Sequence, residues 1–396
     1  MSRRNLQIDV LRFVFSVIIV LHHSRYVLGD ENCLFLGGSL AVEFFFFVSG
    51  YLLLVSAQRA GETFRAGRPA DAAGNGAAAS PSRTDPELPS AASGIGAETW
   101  RFLVRKIRGF LPEFLIAWII GFSVKGIAQS WSLRDAWTAF IDDFWELTLV
   151  RMSGLYTGGL DGVIWYLSAM LLGMAILYPL LRRHEDVMTH IVCPLLALFL
   201  YGYLCRTYGH PRDPGVWTGF AYKGLLRGIA GLSAGVTARM AVRRLQGRLR
   251  GRSLTGFGAS MVTLAEVFLL AMTVRYMYLR TPAQTDYFYM FLLLLLVILC
   301  FSETGLENRL LRAHPWPGRL SAFLARYSLA LYLSHIYFAQ GMGGLLNGSI
   351  WSDGQLLTVY LVLAFGNAFV VMGLASAWRR HAAQIRTCVK SLFISG

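Results

Sequence analysis

The sequence predicts an all-α, polytopic membrane protein, a bundle of about ten transmembrane helices. Hydrophobic residues make up 55% of its 396 positions and charged residues only 15%, against about 25% charged in an ordinary soluble domain. Uncharged apolar runs, such as residues 13–21 and 291–301, recur along the chain. A helix needs roughly 20 mostly apolar residues to cross a bilayer, and many segments reach that length.

The predicted helices follow one another with mostly short connections. The first resembles a signal peptide with Arg3 and Arg4 as its basic region, but no small-residue cleavage site follows and a second apolar segment comes at once, so it is interpreted as a retained helix. In chain order the predicted helices are 9–29, 38–57, 109–129, 163–181, 187–204, 218–240, 255–279, 284–303, 326–346 and 356–378.

Positive charge is distributed unevenly between the two sides of this topology. With the N-terminus in the cytoplasm, 26 of the 37 Lys and Arg residues fall in inside segments and about 7 in outside loops. Lys and Arg collect in cytoplasmic loops, so both termini are expected to be cytoplasmic. The same rule accounts for the net charge of +14, and no nucleic-acid partner is expected.

Composition divides the chain into four segments. Residues 1–57 hold helices 1 and 2, residues 101–380 hold helices 3–10, and residues 381–396 are a predicted cytoplasmic tail. Residues 58–100 are rich in Ala, Gly, Ser and Pro, a composition that cannot bury enough apolar surface to become ordered. They are predicted to be a disordered cytoplasmic insertion. The aromatic and acidic outer loop, 130–162, is predicted to contain a short interfacial helix.

Cysteines and histidines do not form the patterns typical of metal sites. The five cysteines show no CxxC spacing and no disulfide framework, although a Cys33–Cys205 bridge stays open because both residues would face outward. Outside the first helix the histidines are scattered, so no metal is expected. There is also no P-loop, which argues against an ATP-driven pump.

The first helix carries ionisable residues that are functional candidates by their location in the membrane. Arg12 and His23 are eleven residues apart, which corresponds to three helical turns, about 20° of angular offset and a rise of about 16 Å. Both therefore lie on one helix face, whereas His22 points about 80° away. The alternative is a histidine that is hydrogen-bonded between helices.

Five segments carry sequence motifs in a recognisable order. In the first, IDVLRFVFSVIIVLHH, ten residues separate Arg12 from His23. The others are GGSLAVEFFFFVSGYLL (37–53), RKIRGFLP (105–112), IWYLSAMLLGMAILYPLL (164–181) and LARYSLALYLSHIYF (324–338). Together they resemble the membrane-bound acyltransferase 3 family, which acylates sugars at the cell surface. The family often has Asp where this chain has Glu43.

This resemblance implies an integral membrane O-acyltransferase with no bound cofactor. It would move an acyl group, by default acetyl, from a cytoplasmic acyl-CoA donor such as acetyl-CoA to an acceptor hydroxyl. The implied acceptor is an outward-facing surface polysaccharide or lipid-linked glycan. The implied location is the plasma (inner) membrane of a bacterium, where the chain would be multi-pass and surrounded by membrane lipid.

The resemblance and the chemistry of the side chains together assign three catalytic candidates. Histidine is the natural general base for a hydroxyl near neutral pH, and His23 is deep enough to meet donor and acceptor from opposite sides. Arg12 is its same-face partner, which positions the donor or stabilises charge. Glu43 either orients the imidazole, binds sugar hydroxyls or is an ordinary interfacial carboxylate.

Two further groups of residues are candidates for substrate binding. Planar arginine donors suit the phosphates of acyl-CoA, although basic residues here also fit simple cytoplasmic anchoring. The predicted donor-binding residues are Arg105, Lys106 and Arg108. The possible substrate-pocket residues, with helix packing as the alternative, are Ser49, Trp165, Tyr166 and His335.

A secondary transporter or exporter is the alternative from another functional class. In such a protein Arg12, His23 and Glu266 would form a proton relay. Transporters typically show internal repeats and paired broken helices, and the sequence displays neither. The acyltransferase is therefore the favoured interpretation.

Overall fold

The protein is described by a computed structural model over residues 5–66, 91–155, 162–249, 254–306, 316–345 and 351–394. These ranges contain helices and one isolated β-bridge, Trp217 to Tyr222. Eleven of the helices have at least 15 residues. They are α1 (Leu6–His23), α2 (Ala41–Ala66), α3 (Ala91–Ala128), α4 (Leu133–Leu147), α5 (Trp165–Arg183), α6 (Cys193–Tyr208), α7 (Lys223–Arg248), α8 (Gly256–Leu279), α9 (Asp286–Ser302), α10 (Trp316–Leu345) and α11 (Asp353–Ile394).

Ten of these helices correspond one to one with the ten predicted spans. Within the described residues, eight segments are long and apolar enough to cross a membrane, and α9 is a shorter apolar helix. The tenth, α10, packs between α1, α3 and α11. The predicted all-α polytopic bundle is therefore confirmed, whereas the cytoplasmic location of the termini stays a prediction.

The eleventh helix, α4, confirms that the loop after α3 contains a helix, and its interfacial location stays a prediction. It begins with a capping box, in which the Ser132 side chain accepts from the Asp135 backbone and the Asp135 side chain accepts from the Ser132 backbone. Trp137 and Phe144 on this helix are exposed, as expected of aromatic side chains at a membrane surface.

Helices extend further into the predicted insertion and tail than composition indicated. The segment 58–100 was predicted to be disordered, but α2 continues to Ala66 and α3 begins at Ala91. Both extensions are held by neighbours: Gln58 donates to Glu185 at 2.7 Å and Glu98 accepts from Arg182 at 2.7 Å. Composition alone does not register such contacts. Residues 67–90 lie outside the described residues, and α11 covers most of the predicted tail.

Contacts between distant segments define the two ends of the bundle. At one end Asn5 donates to the Cys300 carbonyl at 2.8 Å and Arg182 pairs with Glu98; this end is called the basic face. At the other end the Gly37 amide donates to the Met277 carbonyl at 2.9 Å; this end is called the cavity face. The charge distribution predicts that the basic face is cytoplasmic.

Glycines bring α2 and α7 into direct backbone contact. A Cβ atom on Gly50 would lie 2.0 Å from the carbonyl oxygen of Leu232, and one on Gly235 would lie 2.2 Å from that of Phe47. Only hydrogen fits at these two positions, as is usual where membrane helices approach closely. This contact fixes the position of Glu43 on α2 relative to Arg227 on α7.

Helices α1 and α10 run parallel with a constant register. Ser321 donates to Asp9, Ser16 donates to the Ser328 carbonyl, and His335 meets His23, each pair separated by 312 residues in sequence. The contacts recur every seven residues, the spacing at which two helices keep the same seam in contact. The seam therefore presents one polar contact every two turns and ends in the histidine pair.

Candidate active site

The centre of the candidate site is a pair of histidines at the cavity end of this seam. His335 is completely buried, and its Nε2 lies 3.0 Å from Nδ1 of His23. His23 is only partly buried and lines a cavity of about 180 Å³. This cavity gives the cavity face of the bundle its name. The ring of His23 stacks on Tyr26, with 6.0 Å between ring centroids. The predicted substrate-pocket residue His335 is thus the direct partner of the predicted base.

The hydrogen bonds of this pair assign its tautomers. Nδ1 of His335 lies 3.0 Å from the Leu331 carbonyl, which can only accept, so that nitrogen carries the proton. Its Nε2 then has a lone pair, and Nδ1–H of His23 donates to it and to the Ile19 carbonyl at 2.9 Å. In the neutral pair, Nε2 of His23 therefore carries a lone pair, as a general base requires.

The neighbouring histidine, His22, also lines this cavity, which the helix-face argument did not anticipate, but its hydrogen bond goes to a different segment. Nδ1 of His22 donates to the Phe35 carbonyl at 2.8 Å. The ring is buried against Gly38, where a Cβ atom would lie 2.6 Å from the Cβ of His22. His22 thereby ties α1 to the loop that follows it.

The structure assigns Glu43 a position different from the one proposed beside the imidazole. Its described partners are Arg227 and Tyr201, and both members of the Glu43–Arg227 ion pair are fully buried. Arg227 also donates to the Ser39 and Pro211 carbonyls at 2.7 and 3.1 Å. Of the roles predicted for Glu43, contact with the imidazole belongs to His335, because the α1–α10 seam brings His335 to His23 while the close α2–α7 contact brings Glu43 to Arg227.

The wall of the cavity combines charged and aromatic side chains. Trp165 supports the Arg227 guanidinium, which lies 5.1 Å from the centroid of the indole ring. Arg25, Arg212 and Asp213 also line the cavity. Aromatic faces together with charged hydrogen-bonding groups suit a ligand that has both apolar ring faces and hydroxyl groups.

Toward the basic face, the predicted donor-binding residues form part of a positive cluster. Arg12 pairs with Asp9 at 3.1 Å, and Lys106 lies within electrostatic range of both Arg12 and Arg105. Arg108 is exposed. Lys106 thus has both Arg12 and Arg105 within electrostatic range, whereas His23 lies about 16 Å from Arg12 along α1.

An aromatic path connects this cluster with the histidines. Tyr166 is within electrostatic range of Arg12, and its hydroxyl lies 3.0 Å from that of Ser49. Its ring centroid is 5.9 Å from that of Tyr332, which is 6.2 Å from that of His335. Of the four predicted pocket residues, Ser49 and Tyr166 are in contact, Tyr332 lies between Tyr166 and His335, and Trp165 lines the cavity.

Cysteine thiols and metal-ligating side chains contribute little to the site. Cys33 and Cys205 are free thiols, so the bridge left open by the sequence is not formed. Burial raises the pKa of the Cys33 thiol, which disfavours the reactive thiolate. Within the described ranges, no group of three or more His, Cys, Asp or Glu side chains could hold a metal ion.

Sequence reasoning missed Asp9, Ser321 and Tyr201. A signal for the first two was present, because Asp9, Ser16 and His23 on one helix and Ser321, Ser328 and His335 on another follow the same seven-residue spacing. Tyr201 had no such signal, because its partner Glu43 is 158 residues away in the chain.

Comparison with known proteins agrees with this architecture. A family model described as an acyltransferase domain, that of the acyltransferase 3 family, matches residues 5–377. The protein is thus a multi-pass membrane acyltransferase. The chain belongs to the acyltransferase 3 family, as the motifs predicted. Neither the curated proteins nor the solved structures contain a match.

Proposed function

We propose that this acyltransferase moves an acyl group, by default acetyl, from cytoplasmic acyl-CoA to a hydroxyl of an outward-facing glycan or glycolipid in a bacterial plasma membrane. The observation that carries the proposal is the histidine pair at the cavity. It supplies a base whose reactive nitrogen is fixed by its neighbours, at a place where a hydroxyl from one side can meet a thioester from the other.

His23 acts as the general base in this reaction. Its Nε2 takes the proton from the acceptor hydroxyl while the hydroxyl oxygen attacks the thioester carbonyl. A carbon–oxygen bond forms, the carbon–sulfur bond breaks, and the proton passes from His23 to the leaving CoA thiolate. His335 is a positioning residue: it accepts from Nδ1–H of His23, orients the ring and stabilises the imidazolium that forms, the part a carboxylate takes in the Ser-His-Asp triad.

The donor enters from the basic face. Arg12, Arg105 and Lys106 form a positive cluster there, and the phosphates of acyl-CoA are suitable ligands for it. The aromatic path through Tyr166 and Tyr332 leads from this cluster toward His335. The thioester arm of the donor would follow this path, which leaves the charged nucleotide at the membrane surface.

The acceptor enters from the cavity face. Tyr26 and Trp165 offer ring faces to a sugar, and Arg25, Arg212 and Asp213 offer hydrogen bonds to its hydroxyl groups. Because the cavity is only about 180 Å³, it fits a single sugar unit better than a folded oligosaccharide. The remainder of the acceptor would extend outward from the cavity face.

The transporter alternative has no comparable support. Glu266, one member of the proposed relay, accepts from Gln7 at 3.0 Å, whereas the side chain hydrogen-bonded to His23 is that of His335. Purified protein in phospholipid vesicles should cleave acetyl-CoA slowly in the absence of acceptor, with free thiol as the readout. Catalysed cleavage supports the acyltransferase, and a rate equal to that of empty vesicles contradicts it.

A further inference from the structure

A second cavity opens toward the lipid, away from the histidines. It lies between α2, α6, α7 and α9, has a volume of about 470 Å³, and its lining is mostly apolar; Phe47, Ala197, Gly202 and Leu294 contribute to it. Leu198 and Phe291 at its edge are 66% and 56% exposed. Because these helices lie in the membrane, a hydrocarbon chain is the ligand whose chemistry fits this lateral groove.

Polar groups on its wall connect the groove to the acceptor cavity. The hydroxyl of Tyr201, which lines the groove, donates to Glu43, and Glu43 pairs with Arg227, which lines the cavity at His23. The two spaces thus share one hydrogen-bonded wall. Cys205 lines the groove, and α6 ends at Tyr208, so only a short loop separates the groove from Arg212 at the cavity.

A second tyrosine in the groove lacks a protein partner. The hydroxyl of Tyr287 is buried and makes no hydrogen bond within the described residues. Because that oxygen has almost no accessible surface, Tyr287 contributes its ring to the groove and not its hydroxyl. The groove therefore offers an apolar length for a chain, and its link to the acceptor cavity runs through Tyr201.

We propose that this groove holds the hydrocarbon chain of a lipid-linked acceptor whose glycan head reaches the cavity at His23. The inference rests on the proposed function and narrows the acceptor to the lipid-linked class. A chain seated in the groove places its head group beside the shared wall of Tyr201, Glu43 and Arg227. A free polysaccharide has no hydrocarbon chain to place in the groove. An ordinary phospholipid in the groove would put its head group beside the cavity, where it would compete with the acceptor glycan.

Two glycines allow a matched test of this proposal. Gly202 lines the groove, Gly366 lies on α11 away from it, both are exposed helix residues, and a Cβ atom on either would meet nothing within 4 Å. Gly202→Phe should therefore fill the groove without disturbing the fold, and Gly366→Phe is the control. Each full-length variant is incubated in native membranes with radiolabelled acetyl-CoA, and label is measured in solvent-extracted lipid-linked glycan and in water-soluble glycan.

The wild-type protein should label the lipid-linked fraction. Gly202→Phe should lower that label at least tenfold without changing acceptor-independent acetyl-CoA cleavage, and Gly366→Phe should leave both unchanged. Label confined to water-soluble glycan, or equal labelling by the two variants, would overturn the groove assignment while leaving acyl transfer intact. Absence of label from both fractions with the wild type would instead refute the proposed function, and the groove assignment with it.

Discussion

Replacing His335 tests whether the second histidine contributes to the chemistry or only to packing. His335→Ala removes the acceptor of the His23 Nδ1–H bond, while the Ile19 carbonyl, 2.9 Å away, still accepts from that atom. His23 therefore keeps its tautomer but loses one hydrogen bond to its charged form. Hydrogen bonds to charged groups are worth about 1.5–3 kcal/mol, which corresponds to a loss of roughly 10- to 150-fold in kcat/KM.

A conservative variant separates the hydrogen bond from the shape of the ring. In His335→Gln the amide oxygen lies near the former Nε2 position and accepts from His23, so most of the activity should return. The assay is steady-state acyl transfer by purified protein with donor concentration varied. The KM for the donor should stay unchanged because His335 lies away from the positive cluster of Arg12, Arg105 and Lys106 that is proposed to bind the donor's phosphates. Full activity in His335→Ala, or equal losses in the Ala and Gln variants at equal thermal stability, would refute the reasoning.

Three further predictions concern packing, the buried ion pair and the donor site. Gly50→Ala should reduce the yield of folded protein in detergent, because its Cβ would lie 2.0 Å from a carbonyl oxygen of α7; normal yield would contradict the close contact. Glu43→Gln should lower the thermal unfolding temperature, because breaking a buried ion pair costs about 3–5 kcal/mol, and adding Arg227→Met should restore part of it; no recovery would contradict a structural role. Lys106→Gln should raise the donor KM more than it lowers kcat, whereas Arg108→Gln should have a smaller effect; equal KM values for wild type and Lys106→Gln would favour simple anchoring.

The fold could be predicted from the sequence because each membrane-spanning helix is determined mainly by its own segment of the chain. Each membrane-spanning helix must satisfy its backbone hydrogen bonds within itself, so apolar length alone predicted ten helices near their observed positions. The exceptions were the ends that project beyond the apolar core. There α2 and α3 extend through side-chain contacts such as Gln58 with Glu185, which composition does not register.

The candidate site was only partly accessible for the same reason. The face of α1 that carries His23 follows from helical geometry, but the cavity that His22 and His23 share does not. The partner of Glu43 does not, because Arg227 lies 184 residues away in the chain and the pair depends on how closely α2 approaches α7. The partner of His23 was partly predictable. The seven-residue spacing shared by α1 and α10 is visible in the sequence, but the sequence does not show how the two helices align against each other.

The comparison of His23 with His22 tests the general-base role most directly. Asparagine at either position retains an N–H donor near the former Nδ1, which keeps the bond of residue 22 to the Phe35 carbonyl and that of residue 23 to Ile19 and His335. Only the Nε2 position is lost. General-base catalysis is typically worth about 10²- to 10⁴-fold, so His23→Asn should lose transfer by that factor in a protein that remains folded, while His22→Asn should stay within a few-fold of wild type. An active His23→Asn variant beside an inactive, folded His22→Asn variant would contradict the assignment of His23 as the base.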